Sequence, residues 1–315
     1  LENNQTEAGM IISDNTFGSL EEDSLRRDFR INSIYYNPLS KELIDLQDGL
    51  ADVYERVVKS IGEPDLRLRE DPVRMLRAIR IGSKLEFSLE TKIKESIRSL
   101  GYLIQDVSPA RLFEESLKMF MGGFGVKVYL TLKELDLFNW IFPESARSQK
   151  KYNLDLLIRK ALESTDDRVE KGLPITPAFI YAAILWYPFI IERTRIITEL
   201  GANNYDASNE AATNILSTQQ LFTSIPRRFS NPVKEIWFLQ FRLGSRHGKN
   251  PEYLLKHKRF RAAYDFLLIR EAAGEQTQRL GEWWTRYQFA SEEEKKQIQK
   301  NDKKNQRKRE LKNNE

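Results

Sequence analysis

The chain contains no cysteine, which excludes disulfides, thiolate metal sites and a thiol nucleophile. Histidine is limited to His247 and His257, and two imidazoles without cysteine do not make a usual zinc site, so no metal site is expected here. No stretch reaches the roughly 18 consecutive apolar residues of a membrane span. Nor does a charged start followed by an apolar core mark a signal peptide. A cytoplasmic protein with no membrane partner is the expectation. The opening run, Leu1 to Ala8, is polar and begins without methionine, and an upstream portion is expected to precede it.

Charge is plentiful but nearly balanced. Fifty Lys and Arg against 46 Asp and Glu leave a net +4 over 315 residues, and at roughly 100 to 200 residues per domain this length allows two or three units. Strand signals lie before Pro64. Met10-Ile11-Ile12 reads as a short strand, 21–28 as a helix, and 31–36 and 42–46 as strands around a turn at Asn37-Pro38. Gly62-Glu63-Pro64 closes this region. Helical spacing then dominates, at 90–100, 109–122, 126–135, 153–163, 177–187, 205–221, 231–243, 251–287 with a break near Gly274, and from Glu292 onward. The expected fold class is mainly α, a short α+β piece leading into a helical array. The tail from Glu292 to Glu315 has too little apolar surface to offset ordering entropy, so it is expected to be helical in part and then disordered.

The stretch Arg69 to Arg80 organises the rest. Asp71-Pro72 reads as a helix start, because Asp accepts from free N–H groups of a first turn and proline fits the first helical position. The spacing predicts a helix over 72–87 with Arg74, Arg77, Arg80 and Lys84 on one stripe and Val73, Leu76, Ile79 and Leu85 on another. A solvated basic face is one reading of that pattern. The other is chemical: adenine places an N6 donor beside the N1 acceptor, an edge that one carboxylate and one guanidinium read together.

Glu70-Asp71-x-x-Arg74, continued by Met75-Leu76-Arg77-Ala78-Ile79-Arg80, resembles the base-reading motif of the poly(A) polymerase and tRNA CCA-adding nucleotidyltransferase family. Upstream, 26–32 (Arg26-Arg27-Asp28-Phe29-Arg30-Ile31-Asn32) is similar to that family's ribose-contacting motif, and Asp45-x-x-Asp48-Gly49-x-x-Asp52-Val53 to its hinge. The resemblance implies that Asp71 and Arg74 read adenine, that Asp28 and Asn32 hold the ribose, and that Arg27 and Arg77 approach the triphosphate. Two positions depart from the pattern: Arg30 stands where threonine is expected, and Asp48 where glycine is, which puts the hinge turn in question because Asp tolerates positive φ less readily. Val107 to Glu115 starts another helix with Ser108 as cap and Pro109 in first position. There Ala110-Arg111-Leu112-Phe113-Glu114-Glu115 resembles the poly(A) polymerase branch rather than the CCA-adding branch, which would carry glutamate before the arginine. On the residues alone, Arg111 is expected to pair with an acid in the core.

Between Pro226 and Tyr264 ten basic side chains face only Glu235 and Glu252. They are Arg227, Arg228, Lys234, Arg242, Arg246, Lys249, Lys256, Lys258, Arg259 and Arg261, interleaved with aromatics. This composition suits single-stranded RNA, although the aromatics fall at helical spacing and belong mostly to a core. Arg227, Arg228, Arg242, Arg246, Lys249, Lys256, Lys258 and Arg259 are the expected RNA contacts. The segment, and its continuation through Trp283-Trp284, resembles the arginine-rich C-terminal region of bacterial-type poly(A) polymerases.

That family transfers AMP from ATP to an RNA 3′ end with Mg²⁺ held by an Asp-x-Asp pair after a Gly-Gly phosphate loop. No such loop leading to such a pair occurs in these 315 residues; Glu21-x-Asp23 and Glu134-x-Asp136 are surface imitations in helical patterns. The implied organisation is the C-terminal part of a nucleotidyltransferase head (1–55), a neck with the base-reading helix (56–120), a helical body (121–222), an arginine-rich RNA-binding region (223–290) and a charged tail (291–315). Polynucleotide adenylyltransfer by the full-length protein is the leading expectation, with RNA and ATP as partners and no catalysis by this piece alone. A CCA-adding enzyme and a non-catalytic helical RNA-binding protein are the alternatives.

Overall fold

The computed structural model describes residues 18–148 and 152–313, with side chains described as far as Asp302. The expected strand at Met10-Ile11-Ile12 lies outside the described residues. The chain divides into two compact units, Leu1–Leu100 and Gly101–Glu315.

The first unit opens with α1 (Leu20–Arg26), fixed by a capping box in which Ser19 and Glu22 satisfy each other's backbone N–H groups. A 3₁₀ turn follows at Arg30–Asn32, so the first strand begins at Ile34 and not at Ile31. Ser33 closes that turn by donating both its N–H and its hydroxyl to the Arg30 carbonyl. β1 (Ile34–Asn37) pairs antiparallel with β2 (Glu42–Asp45), Ile34 opposite Asp45, around a turn in which Asn37 Oδ1 accepts from the N–H groups of Leu39 and Ser40. α2 (Gly49–Glu55) follows.

Its entrance explains the departure at position 48. Asp48 itself adopts the left-handed conformation, φ +58°, while the Asp45 carboxylate accepts from Gly49 N–H at 2.9 Å and Leu50 N–H at 2.7 Å. Those bonds hold the Asp45 carboxyl below its ordinary range against the opposing push of partial burial. Gly49 is required for space and not for φ, because a Cβ there would collide with the Arg30 carbonyl.

Two short strands, β3 (Val57–Val58) and β4 (Ser88–Leu89), pair in parallel; the second lies beyond Pro64, where strand signals were expected to end. Between them α3 (Pro64–Glu70) begins at a proline in its first turn, so Gly62-Glu63-Pro64 opens a helix as well as closing a region. α4 (Val73–Leu85) and α5 (Thr91–Leu100) complete the unit. α4 buries Val73, Met75, Leu76, Ala78 and Ile79, but Leu85 is 42% exposed and belongs to the outer side, a correction to its expected place on the apolar stripe.

After a 3₁₀ stretch at Gly101–Asp106, the regular elements of the second unit among the described residues are helices: α6 (Pro109–Phe120), α7 (Gly125–Glu134), α8 (Phe138–Ile141), α9 (Pro143–Ser148), α10 (Leu154–Glu170), α11 (Pro177–Ile184), α12 (Trp186–Leu200), α13 (Asn204–Gln220), α14 (Arg227–Arg242), α15 (Asn250–Leu255), α16 (Phe260–Ala272), α17 (Leu280–Gln288) and α18 (Glu292–Asn313). The Gly122-Gly123 dipeptide makes the turn between α6 and α7, with Gly123 at φ +84°, and is not a phosphate loop after a strand. The helix expected over 177–187 ends at Ile184; α12 then carries Pro188 in its first turn, where no in-helix donor is missed. α14 starts four residues before the expected Asn231 and contains Pro232.

Stacked rings set the core of this unit. Trp237 lies on Phe189 with ring centroids 4.5 Å apart and donates its indole N–H to the Ala182 carbonyl at 3.0 Å. A second cluster joins α14 to α17: Leu243, Leu254, Phe260, Tyr264, Trp284 and Tyr287 pack together, and the Trp284 indole N–H reaches the Leu243 carbonyl. Arg111 is itself exposed; the buried acid one turn further along the same helix is Glu115, which binds Lys118 at 2.8 Å. The chain remains helical through Asn313, where composition predicted partial order. Among the described residues no helix is long and apolar enough to cross a membrane.

Candidate nucleotide-binding site

α4 and the end of α1 converge on one carboxylate. Asp28 accepts from Arg74 Nε at Oδ1 and from Arg77 Nη1 at Oδ2, both at 2.8 Å. The neighbouring Phe29 is buried and bridges to Ser60, which anchors the segment carrying Asp28. Arg74 and Arg77 lie one helical turn apart, so a single carboxylate meets both. Burial pushes the Asp28 carboxyl up, but the two guanidiniums outweigh it and hold it below its ordinary value. For Arg74 burial opposes the charge, and Asp28 with Glu70 prevails, raising its pKa.

A second ring of bonds fixes the same arginine from behind. Arg74 Nη1 donates to the Arg67 carbonyl at 2.7 Å and to Glu70 Oε2 at 2.8 Å; Glu70 also accepts from Arg67 Nη1 at 2.9 Å. Arg67 Nη2 in turn reaches the Arg27 carbonyl at 2.9 Å, tying the ribose-type motif to the base-reading motif. Arg67 and Glu70 were not among the expected site residues. Their spacing with Arg74 was visible, but it crosses the break at Asp71-Pro72 and so does not read as one helix face.

Asp71 sits in extended backbone between α3 and α4. Its Oδ1 accepts from Val73 N–H at 3.2 Å, the expected cap on the new helix, which begins at Val73. Asp71 and Arg74 are both partly exposed. Arg74 commits Nε and Nη1 internally, and no hydrogen bond is recorded for its Nη2 among the described residues. The arrangement is therefore a preset Arg74 donor three residues after Asp71, whose backbone carbonyl accepts from the Arg74 N–H at 3.0 Å. Each Asp28 oxygen keeps a lone pair that a hydroxyl can use. Asn32 is exposed in the 3₁₀ turn, and Arg27 is exposed and paired with Asp23 at 2.6 Å; neither joins the Asp28 cluster.

The basic side chains of the second unit divide sharply. Arg227, Arg228, Arg242, Lys249 and Lys256 are exposed, and no ion pair is recorded for them among the described residues. Lys258 and Arg259 both pair with Glu235 at 2.9 Å, which keeps its carboxyl below the usual range despite the opposing effect of burial. Arg246 is a correction. It is only 7% exposed and binds Asp302 of α18 at 3.0 Å, so it is a structural anchor and not a surface RNA contact. Of the interleaved aromatics, Trp237, Phe260 and Tyr264 are core, as their spacing implied, whereas Tyr253 is open to solvent.

Three family models match in order. "Poly A polymerase head domain" covers residues 2–59, "Probable RNA and SrmB- binding site of polymerase A" covers 86–148, and "Polymerase A arginine-rich C-terminus" covers 200–315. Poly(A) polymerase I of Haemophilus influenzae is 41% identical over 299 residues, 93% of this chain; the chain spans 66% of that relative's length. A CCA-adding enzyme of Anoxybacillus flavithermus is 38% identical, but over only 132 residues, 42% of this chain and 33% of its own length. A solved CCA-adding enzyme complex with CTP shares the fold, with a TM-score of 0.54 at 18% identity over 84% of this chain and 58% of that one. The chain belongs to the bacterial poly(A) polymerase I family of class II nucleotidyltransferases.

Proposed function

We propose that the full-length protein adds AMP from ATP to RNA 3′ ends without a template, and that this chain supplies its base-reading and RNA-binding parts. The observation that carries the nucleotide reading is Arg74, clamped by Asp28 and Glu70 with its Nη2 left to donate, three residues after Asp71 in sequence. In this reading the adenine N6 amino group donates to Asp71 and N1 accepts from Arg74, while Asp28 and Asn32 meet the ribose and Arg27 and Arg77 the triphosphate. Guanine and uracil present the reverse order, a carbonyl acceptor beside an N–H donor, and would set an oxygen against the Asp71 carboxylate. Cytosine shares adenine's order, so its exclusion has to come from the size of the base.

The exposed Arg227, Arg228, Arg242, Lys249 and Lys256 support contact with RNA phosphates. The division into partial head, neck, body, arginine-rich region and tail belongs to the same reading. Mg²⁺ would serve by binding the attacking and leaving oxygens. The residues present do not fit it: among the described residues no group of three or more His, Asp or Glu is placed to hold a metal ion, and the sequence has no Asp-x-Asp. Its ligands are assigned to the part of the relatives that this chain does not span.

Supplied with oligo(A), Mg²⁺ and either nucleotide, the full-length protein is expected to incorporate ATP and to leave CTP almost untouched. Comparable use of CTP would favour the CCA-adding reading, which the shorter similarity to that enzyme keeps in view. The 315-residue chain alone is expected to bind RNA, to bind nucleotide weakly and to extend nothing. Extension by it would overturn the assignment of the metal carboxylates elsewhere.

A further inference from the structure

We infer that Tyr253 is a stacking platform for one base of single-stranded RNA, held between two phosphate-binding lysines; this rests on the RNA-binding reading of the basic region. α15 is short, yet helical backbone continues through both caps, Lys249 and Lys256. Tyr253 N–H bonds to the Lys249 carbonyl and Lys256 N–H to that of Glu252, both at 3.3 Å, so the register is helical from 249 to 256. Lys249, Tyr253 and Lys256 consequently share one face at spacings of four and three residues. Seven residues at 1.5 Å rise set the lysines about 10 Å apart along the axis, with the ring between them.

The opposite face is fully spent. Pro251 and Leu254 are buried there, and Glu252, which flanks the lysine face, is committed elsewhere: it accepts from the Tyr287 hydroxyl at 2.9 Å and pairs with Lys295 at 3.3 Å. Tyr253 is 67% exposed, and neither its ring nor its hydroxyl has a recorded partner among the described residues. Lys249 and Lys256 likewise have no recorded ion pair. Leu239 and Leu243 of α14 pack in the same cluster as Leu254, which joins this helix to the end of α14 that carries the exposed Arg242.

An exposed aromatic between cations suits a single strand, whose unpaired bases stack while its phosphates meet ammonium groups. A duplex keeps its bases stacked internally and gains nothing from the ring. The face therefore distinguishes unpaired RNA from paired RNA.

The test uses this chain with oligo(A) containing one 2-aminopurine, at several salt concentrations. Tyr253→Ala is expected to weaken binding by roughly five- to hundredfold, the range of one base stack, and to abolish the fluorescence quenching on binding. Its salt dependence should match that of the unchanged protein. Tyr253→Phe should restore both affinity and quenching. Lys249→Gln with Lys256→Gln should instead flatten the slope of log affinity against log salt by about 1.4, two single-strand phosphate contacts. Unchanged affinity and quenching in Tyr253→Ala would overturn the stacking role, as would an equal loss on duplex RNA. If only the lysine variant weakens binding, the basic region still binds RNA and the platform alone falls. If no variant alters RNA binding, the RNA-binding reading of this segment fails with it.

Discussion

Replacing Asp28 with alanine is expected to cost the first unit about 3 kcal/mol, the low end of the loss caused by removing one partner of a buried ion pair. The reason is geometric. Arg74 and Asp28 are 13% and 16% exposed, so the two guanidiniums left behind lose their shared counter-charge where water replaces it poorly. Asp28→Asn keeps an acceptor for one arginine and should lose less. Every tryptophan of the chain, from Trp140 to Trp284, lies in the second unit, so tryptophan fluorescence does not report on this site directly. Amide hydrogen exchange across α4 should accelerate. The same pair sets an acid limit: the Asp28 carboxyl titrates below its ordinary value when folded, so its stabilisation is present above the unfolded pKa of about 3.9 and is lost as pH falls through the folded one. Asp28→Ala should remove that part of the acid sensitivity. Exchange in α4 unaffected by Asp28→Ala would show that the clamp does not hold the helix.

Trp237→Ala should be as damaging to the second unit, at about 3 to 5 kcal/mol by urea denaturation. The side chain is fully buried, stacks on Phe189, and donates to Ala182 in the last turn of α11, where carbonyls lack in-helix partners. Trp237→Phe separates the two contributions. It keeps a ring against Phe189 but leaves the Ala182 carbonyl without its indole donor, and should cost about 1 kcal/mol for the lost bond in addition to the smaller ring. A loss below about 1 kcal/mol in Trp237→Ala would mean that this stack does not organise the helical array.

Much of this molecule is legible in its sequence, and the illegible parts have specific causes. Helical periodicity located α5, α6, α7 and α13 because each has a face to bury. It failed where a boundary depends on a distant group: 251–287 breaks near Gly274 as expected, but the chain also breaks at 256–259, so that α15 and α16 are separate helices that fold with α17 onto one cluster. The Asp71-Pro72 start and the three family motifs were readable locally. The contacts that give the site its shape were not, since Asp28 and Arg74 are 46 positions apart. Arg246 is the sharpest case. Nothing nearby marks it as buried, and its partner Asp302 lies in a tail whose composition predicted little order. Tyr253 was missed for the opposite reason, because helical spacing resembles a core whether or not the helix ends two residues later.

Base selection stands or falls on Asp71. In the full-length protein, the ratio of kcat/KM for ATP to that for GTP is predicted to fall roughly ten- to hundredfold on Asp71→Ala, since the guanine carbonyl would no longer face a carboxylate. Asp71→Asn, which keeps an acceptor for the Val73 N–H, should lower the ratio similarly without the loss of the helix cap. An unaltered preference for ATP in both variants would contradict base reading by this pair.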